Sequence, residues 1–218
     1  VKGTGEQAVN AILKVREAGG AFKDLFDFCR RADKRLVNRR TIEALIRAGA
    51  FDSLDKHRAR LLASVGIAME AAEQAERNAM QVSLFDIFDA ADSGGEQGPR
   101  YVDVPPWSER QKLNEEKLAL GFYFSGHPFH GVQAEVSRFV GRPLAALEAR
   151  KEPQLLAGLV VGVRSKFTAR GKMAFIQIDD GTTALEVSVF NELLEAERAK
   201  IREDEVLIIE GRVQRDDF

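Results

Sequence analysis

The sequence predicts an α+β chain of more than one domain, with a helical module first and an antiparallel β-barrel second. Three observations carry this. Apolar residues recur at helical spacing through the first 80 positions. The run DAADSGGEQGPR at 89–100 is small, polar and Gly-rich; it cannot form a core and reads as a flexible linker. From Leu155 onward the hydrophobic period changes to two.

With 218 residues the chain is long enough for two modest cores. One cysteine, Cys29, excludes an internal disulfide and fits a reducing, cytoplasmic setting. No run of about 18 apolar residues exists, so no membrane span is expected. The chain opens on Val1 rather than Met and stops at Phe218 after a strand pattern, which reads as a piece of a longer protein. The net charge of −2 hides an asymmetry: residues 1–60 hold 14 Lys+Arg against 8 Asp+Glu, and the acidic excess lies in the remainder. A basic first third points to a polyanion partner there.

Thr4 and Gln7 have capping-box spacing, so a first helix is expected from about Gly5 to Gly19-Gly20. The turn Lys2-Gly3-Thr4-Gly5 before it aims backbone N–H groups outward at a helix N-terminus, which suits a phosphate, and Lys2 adds a charge. Asp24 caps a second short helix. The basic run Arg30, Arg31, Lys34, Arg35, Arg39 and Arg40 follows, offset only by Asp33. Asn38 caps a third helix with Ile42, Leu45 and Ile46 buried, and Gly49 stops it. A solvated face would explain the basic run, but beside a phosphate-type turn it reads as contact with the DNA backbone. An Ala-rich helix capped by Asp55 is predicted over Lys56–Met80, weakened by Gly66.

The next stretch, Gln81-Val82-Ser83-Leu84-Phe85-Asp86, puts two large apolar side chains just before the linker. This form suits an exposed docking peptide; the plain alternative is that Leu84, Phe85, Ile87 and Phe88 pack on the preceding helix. After Pro105-Pro106, Ser108 and Gln111 have capping-box spacing for a helix ending before Gly121. His57, His127, His130 and Cys29 lack any CxxC or HExxH spacing, so no metal site is predicted.

Leu159, Val161 and Val163 alternate along a first strand, Ala174, Ile176 and Ile178 along a second, and Leu185, Val187 and Val189 along a third. A helix near Glu192–Lys200 and a fourth strand at Val206–Val213 follow. Three strands, a helix and a further strand is the order of an OB-fold, here lacking its final strand. Phe175 then faces outward, where it can stack on a base with Lys166, Arg170 and Lys172 near a single-stranded backbone; packing on a neighbouring domain is the equal alternative. Asp179 and Asp180 read as an Asp-Gly turn rather than a catalytic pair.

Three stretches carry a resemblance. KGTGEQAVNAI, FKDLFDFC and VNRRTIEALIRAGAFDSL, in that order, resemble the tandem helix-hairpin-helix region of bacterial DNA polymerase III alpha subunits, the C-family replicative polymerases. EKLALGFYFSGHPF at 116–129 and GKMAFIQIDDG resemble further signatures of that family. The resemblance implies a helix-hairpin-helix module at 1–80 whose Lys2, Gly3, Thr4, Gly5, Arg39 and Arg40 touch duplex DNA. It implies a sliding-clamp-binding peptide at 81–86, carried by Gln81, Ser83, Leu84 and Phe85 and bound in extended form. A linker at 87–104, a helical connecting segment at 105–150 and an OB domain at 151–218 complete the expected order. Implied partners are double-stranded DNA, single-stranded template DNA, the sliding clamp (beta subunit) and other replicase holoenzyme subunits. Mg2+ is implied for the parent polymerase; no cofactor and no catalytic residue are expected in this stretch. A freestanding repair or recombination adaptor and an error-prone paralogue remain the alternatives.

Overall fold

The computed structural model describes residues 1–85, 100–168 and 171–215, and for residues 80–85 and Thr168 the backbone alone. Two compact units result, Val1–Phe124 and Ser125–Phe218.

The first unit is helical: α1 (Glu6–Gly19), α2 (Leu25–Arg31), α3 (Arg39–Arg47), α4 (Arg58–Phe85) and α5 (Glu109–Leu120). Three of the predicted caps form. The side chains of Asp24, Asn38 and Ser108 accept the N–H groups of Asp27, Thr41 and Gln111 at 2.7, 3.0 and 3.2 Å. Two differ. Gly5, not Thr4, is the N-cap of α1, because the Thr4 N–H closes a turn onto Val1 O and the helix starts one residue later. At α4 the capping atom is His57 Nδ1, which accepts the Arg60 N–H at 3.1 Å; the Asp55 carboxylate instead takes the His57 N–H at 2.8 Å.

Leu25, Phe28, Val37, Ile42, Ile46, Phe51, Leu61 and Val65 form the core of this unit. Full burial of each such side chain contributes roughly 1.5–3 kcal/mol. Phe22, Phe28 and Phe51 stack edge to face in series, with centroids 4.9 Å apart at each step. Cys29 is buried beside them, and burial pushes its thiol up to about 12. Residues 86–99, most of the expected linker, lie outside the described residues. At its far end Tyr101 Oη accepts the Leu25 N–H at 3.2 Å and Ser64 Oγ accepts the Val102 N–H at 2.9 Å, so residues 101–102 run across the helices.

The segment expected to connect the domains, 105–150, is shared between the units. In the first, α5 packs on α3 and is held by ion pairs: Arg58 to Glu116 at 2.8 Å and Arg47 to Glu115 at 2.7 Å. Gly49 is a glycine for two reasons. Its φ is +86°, and a Cβ there would stand 2.3 Å from Arg58 Nη2.

The second unit is a curled antiparallel sheet in the order β3-β2-β1-β4, built from β1 (Gln154–Thr168), β2 (Gly171–Asp179), β3 (Ala184–Val189) and β4 (Val206–Gly211). The long β1 pairs with β4 through its first half and with β2 through its second. α7 (Asn191–Glu197) packs on β2 and buries Leu194. Leu156, Val160, Ala174, Ile176, Ile178 and Val189 line the inside. The alternation expected for β1 does not hold. A bulge between Val160 and Gly162 shifts the register: Leu159 and Val160, ahead of it, are both buried, and Val163, beyond it, pairs with Ile176 on the inner row yet is exposed. Gly158 permits the close crossing of β1 and β2, since a Cβ there would lie 3.0 Å from Asp179 N.

Residues 125–150 close one side of this sheet. Phe129, Val136 and Val140, the latter two on or just after the short α6 (Gln133–Val136), pack on Ala157, and Leu144 enters the main core. Asp180 fixes that approach. Its Oδ2 accepts the Leu144 N–H at 2.7 Å, and its Oδ1 accepts the Thr182 N–H and hydroxyl at 2.9 and 2.6 Å. The Asp179 carboxylate takes the Gly181 N–H at 2.7 Å, as an Asp-Gly turn requires. No helix among the described residues is long and apolar enough to cross a membrane.

Candidate nucleic-acid interface

The turn before α1 is built by its first residues. Gly3 sits at φ +77°, which only glycine adopts without strain. The Lys2 N–H donates to Ala119 O at 2.7 Å, pinning the turn to the C-terminus of α5. Among the described residues nothing lies within 4 Å of where a Cβ on Gly3 or Gly5 would stand. Neither glycine therefore serves internal packing, and the turn faces solvent. The N–H groups of Gly5, Glu6 and Gln7 have no hydrogen-bond partner among the described residues, and Thr4 Oγ1 is buried without one. Unpaired N–H groups at a helix N-terminus are the chemistry that holds a phosphate oxygen. Glu6, in the same turn, opposes it with its own charge.

The basic run separates into different roles. Arg31 is structural. Its guanidinium donates to the carbonyls of Val15, Gly20 and Ala21 at 3.1, 2.8 and 3.2 Å, pairs with Asp27 at 3.0 Å and lies 4.5 Å over the Phe22 ring. It thus meets carbonyls at and just beyond the end of α1 and ties that helix to α2. Gly19 makes room for it, since a Cβ there would fall 2.7 Å from Arg31 Nη2. Arg30, Lys34, Arg35 and Arg39 hold ion pairs with Asp27, Glu76, Asp33 and Glu43. Such pairs are weak in water and can be exchanged for phosphate. Arg40 is exposed and makes no ion pair among the described residues.

On the sheet, the register decides which side chains share a face. Arg164 lies opposite Phe175, which lies opposite Ser188; Lys166 lies opposite Met173 on the same outer face. Phe175 is half-buried, and Gln177 beyond it is exposed. Lys172 falls on the other face. It pairs with Phe167, continuing the inner row past the end of the core, and its Nζ is 5.9 Å from that ring. The structure therefore brings Lys166 and Phe175 together and separates Lys172 from them. Arg170 lies outside the described residues. Two side chains escaped the sequence reading: Arg164, which is ion-paired to Glu186, and Phe167, which is 81% exposed. The bulge in β1 sets both faces, and it leaves no pattern in the residues.

Gln81, Ser83, Leu84 and Phe85 form the backbone of the last turns of α4, five residues beyond the expected helix end at Met80. Their side chains and all of Asp86 lie outside the described residues. Among the described residues, no group of three His, Cys, Asp or Glu stands close enough to hold a metal ion. His127 Nδ1 accepts the Phe129 N–H at 3.3 Å and caps a short turn, and burial holds its imidazole below the ordinary histidine range despite Asp179 nearby.

A family model described as a helix-hairpin-helix motif matches residues 1–61, and one described as an OB-fold nucleic acid binding domain matches residues 155–218. Over its whole length the chain is 44% identical to the DNA polymerase III subunit alpha of Neisseria meningitidis serogroup A, covering 19% of that protein. It is 38% identical to the subunit of the same name from Escherichia coli K12, again over the whole chain and 19% of the relative. With the Pseudomonas aeruginosa subunit the figures are 36% and 20%. The chain thus spans about a fifth of the length of these relatives. With whole-length identity and both nucleic-acid-binding modules in order, the chain belongs to the DNA polymerase III alpha-subunit family, as a helix-hairpin-helix and OB-fold stretch of it.

Proposed function

We propose that this stretch grips DNA and tethers a replicative polymerase to its sliding clamp, supporting processive template-directed synthesis by a bacterial, cytoplasmic enzyme. The observation that carries the reading is the solvent-facing Gly3–Gly5 turn at the head of α1, in a chain related to alpha subunits along its whole length. Duplex phosphates would bind the N–H groups of that turn, with Lys2, Arg39 and Arg40 adding charge. Single-stranded template would cross the outer face of the sheet at Phe175 and Lys166. Gln81, Ser83, Leu84 and Phe85 would dock on the beta clamp, the two apolar anchors providing most of the affinity. Tethering then acts through effective concentration. Other replicase subunits are the remaining partners. Nucleotide addition and its Mg2+ are assigned to other parts of a longer polymerase, and the role of this stretch is binding.

The test is the affinity of the chain for a purified bacterial sliding clamp, with and without the double substitution Leu84→Ala, Phe85→Ala. Loss of about 2 kcal/mol, roughly thirtyfold, with duplex affinity unchanged is the expected result. Clamp binding that persists without both side chains overturns the tethering role. A joint loss of clamp binding, DNA binding and thermal stability instead assigns the two side chains to the core.

A further inference from the structure

Given that duplex phosphates bind the Gly3–Gly5 turn as proposed above, we infer that the C-terminal end of α5 is the seat of that turn: Ala119 and Gly121 are positioning residues, which hold Lys2 and set duplex affinity without touching DNA.

Ala8 is the first residue of α1 in the helical core, and of the residues before it all but Thr4 are exposed. The turn therefore needs a hold from outside. Val1–Thr4 has the pattern of a type II turn, with Gly3 at φ +77° and the Thr4 N–H closing onto Val1 O at 3.3 Å. That bond fixes the shape of the turn but not its place. The place is set by the Lys2 N–H, which donates to Ala119 O at 2.7 Å. Among the described residues this is the one backbone hydrogen bond that joins residues 1–5 to any element but α1.

The last four carbonyls of a helix have no helical donor. At the end of α5 the Gly121 N–H takes the Lys117 carbonyl at 2.8 Å, and the Lys2 N–H takes that of Ala119, a buried residue. Gly121 also clears the space. Its φ is +95°, and a Cβ there would lie 3.2 Å from Lys2 Cε and 3.3 Å from Nζ. The Lys2 stem thus lies along Gly121, with its ammonium at the negative end of the α5 dipole. The base is firm in turn. α5 packs on α3, which carries Arg39 and Arg40 at its start, and its ion pairs run to Arg47 and Arg58. One helix therefore holds the glycine turn and α3 in a single frame.

The experiment measures affinity of the full chain for a short labelled DNA duplex across a salt series, comparing Lys2→Ala with Lys2→Pro. Both lose the same charge. Lys2→Ala keeps the N–H; Lys2→Pro deletes it, yet the second position of a type II turn accepts proline, so the turn keeps its shape. Lys2→Pro should bind about tenfold more weakly than Lys2→Ala, the scale of one hydrogen bond to a charged group. The added loss should be the same at every salt concentration, because no further charge is removed. It should also persist well below the melting transition. Equal or tighter binding by Lys2→Pro overturns the positioning role, since the turn then works without its seat. A loss confined to temperatures near melting overturns it too, because the bond is then structural only. Gly5→Asp tests the turn itself. Nothing crowds that position and aspartate caps helices well, so the fold is kept, while the carboxylate competes for the N–H groups that would hold phosphate. Duplex affinity should fall by about tenfold or more. If that loss is seen while Lys2→Pro matches Lys2→Ala, the phosphate turn stands and only its seat is refuted. If Gly5→Asp binds as wild type does, duplex phosphates do not bind this turn and the positioning role falls with it.

Discussion

Arg58 Nη1 donates to Glu116 Oε1 at 2.8 Å, and the Glu116 side chain is wholly buried. The same guanidinium forks onto Asp52 at 2.7 and 2.6 Å and reaches the Arg47 carbonyl at 3.2 Å. Glu116 Oε2 in turn accepts the Phe124 N–H at 3.0 Å. One carboxylate therefore joins α5, the start of α4 and the chain that leaves α5 through Gly121. This gives the EKLALGFYFSGHPF signature its physical content. Glu116 is the buried counter-charge, Gly121 adopts φ +95° to turn the chain, and Phe129 enters the core of the second unit. Phe122 and Phe124 stay exposed.

Glu116→Ala should destabilise the helical unit by roughly 3–5 kcal/mol, the usual cost of stripping one partner from a buried pair. Glu116→Gln should cost less, because it still accepts from Arg58 and Phe124. Glu115→Ala should cost least, because its pair with Arg47 is partly exposed. Urea unfolding followed by circular dichroism ranks the three, and a Glu115 effect as large as that of Glu116 would contradict the assignment.

Acid should reach this unit through Asp27. Burial, the largest influence, pushes its carboxyl up, but hydrogen bonds from Arg30, the Lys23 N–H and Arg31 outweigh it and bring it from 3.8 down to about 2. A carboxyl depressed in the folded state stabilises above its unfolded value, and that stability is lost as pH falls through the folded one. Stability should therefore fall between pH 3.8 and about 2. Asp27→Asn should be less stable at neutral pH and should flatten that part of the profile. Asp55, held low by the His57 N–H and Arg60 against its own burial, keeps some acid sensitivity in the variant.

Local chemistry was legible in the sequence, and long-range pairing was not. Asp24, Asn38 and Ser108 announced their helices because a cap acts within three residues. The second strand was legible because Ala174, Ile176 and Ile178 alternate without interruption and are all buried. The first was misread because one bulge reverses every later side chain. Arg58 and Glu116 are 58 residues apart, and nothing in either neighbourhood points to the other. The basic run read as one face, although Arg31 turns inward to the end of α1. Gly19, which makes room for it, was legible only as part of a helix stop.

That division of the basic run predicts two kinds of variant. Each phosphate contact contributes about 0.9 to the slope of log affinity against log salt for duplex DNA. Arg39→Ala with Arg40→Ala should reduce both affinity and slope, the slope by about 1–2. Arg31→Gln should lower thermal stability, because it removes the guanidinium that links Asp27 to the Val15, Gly20 and Ala21 carbonyls, while leaving the slope of the folded protein unchanged. Fluorescence anisotropy across a salt series measures both. A slope that falls with Arg31→Gln would make Arg31 a phosphate ligand and would contradict its inward hydrogen bonds.

The sheet offers a sharper choice, because Phe175 and Phe167 lie on opposite faces of the β1–β2 hairpin. Phe175 sits between Arg164 and Ser188 on the outer face, half-buried at its base and flanked by an exposed cation. Phe167 stands at the tip with Lys172 near its ring. A base stacked on Phe175 would bring its phosphate toward Arg164, which must first leave Glu186. Phe175→Ala should therefore cost on the order of 1–3 kcal/mol per stacked base in binding to single-stranded DNA. Phe167→Ala should have little effect. Glu186→Gln should act in the opposite direction, freeing Arg164, tightening binding and steepening its salt dependence. Titration of a labelled oligothymidylate with the three variants of the full chain distinguishes the faces. Loss with Phe167→Ala and none with Phe175→Ala would move the strand to the hairpin tip, with Lys172 as its cation in place of Arg164.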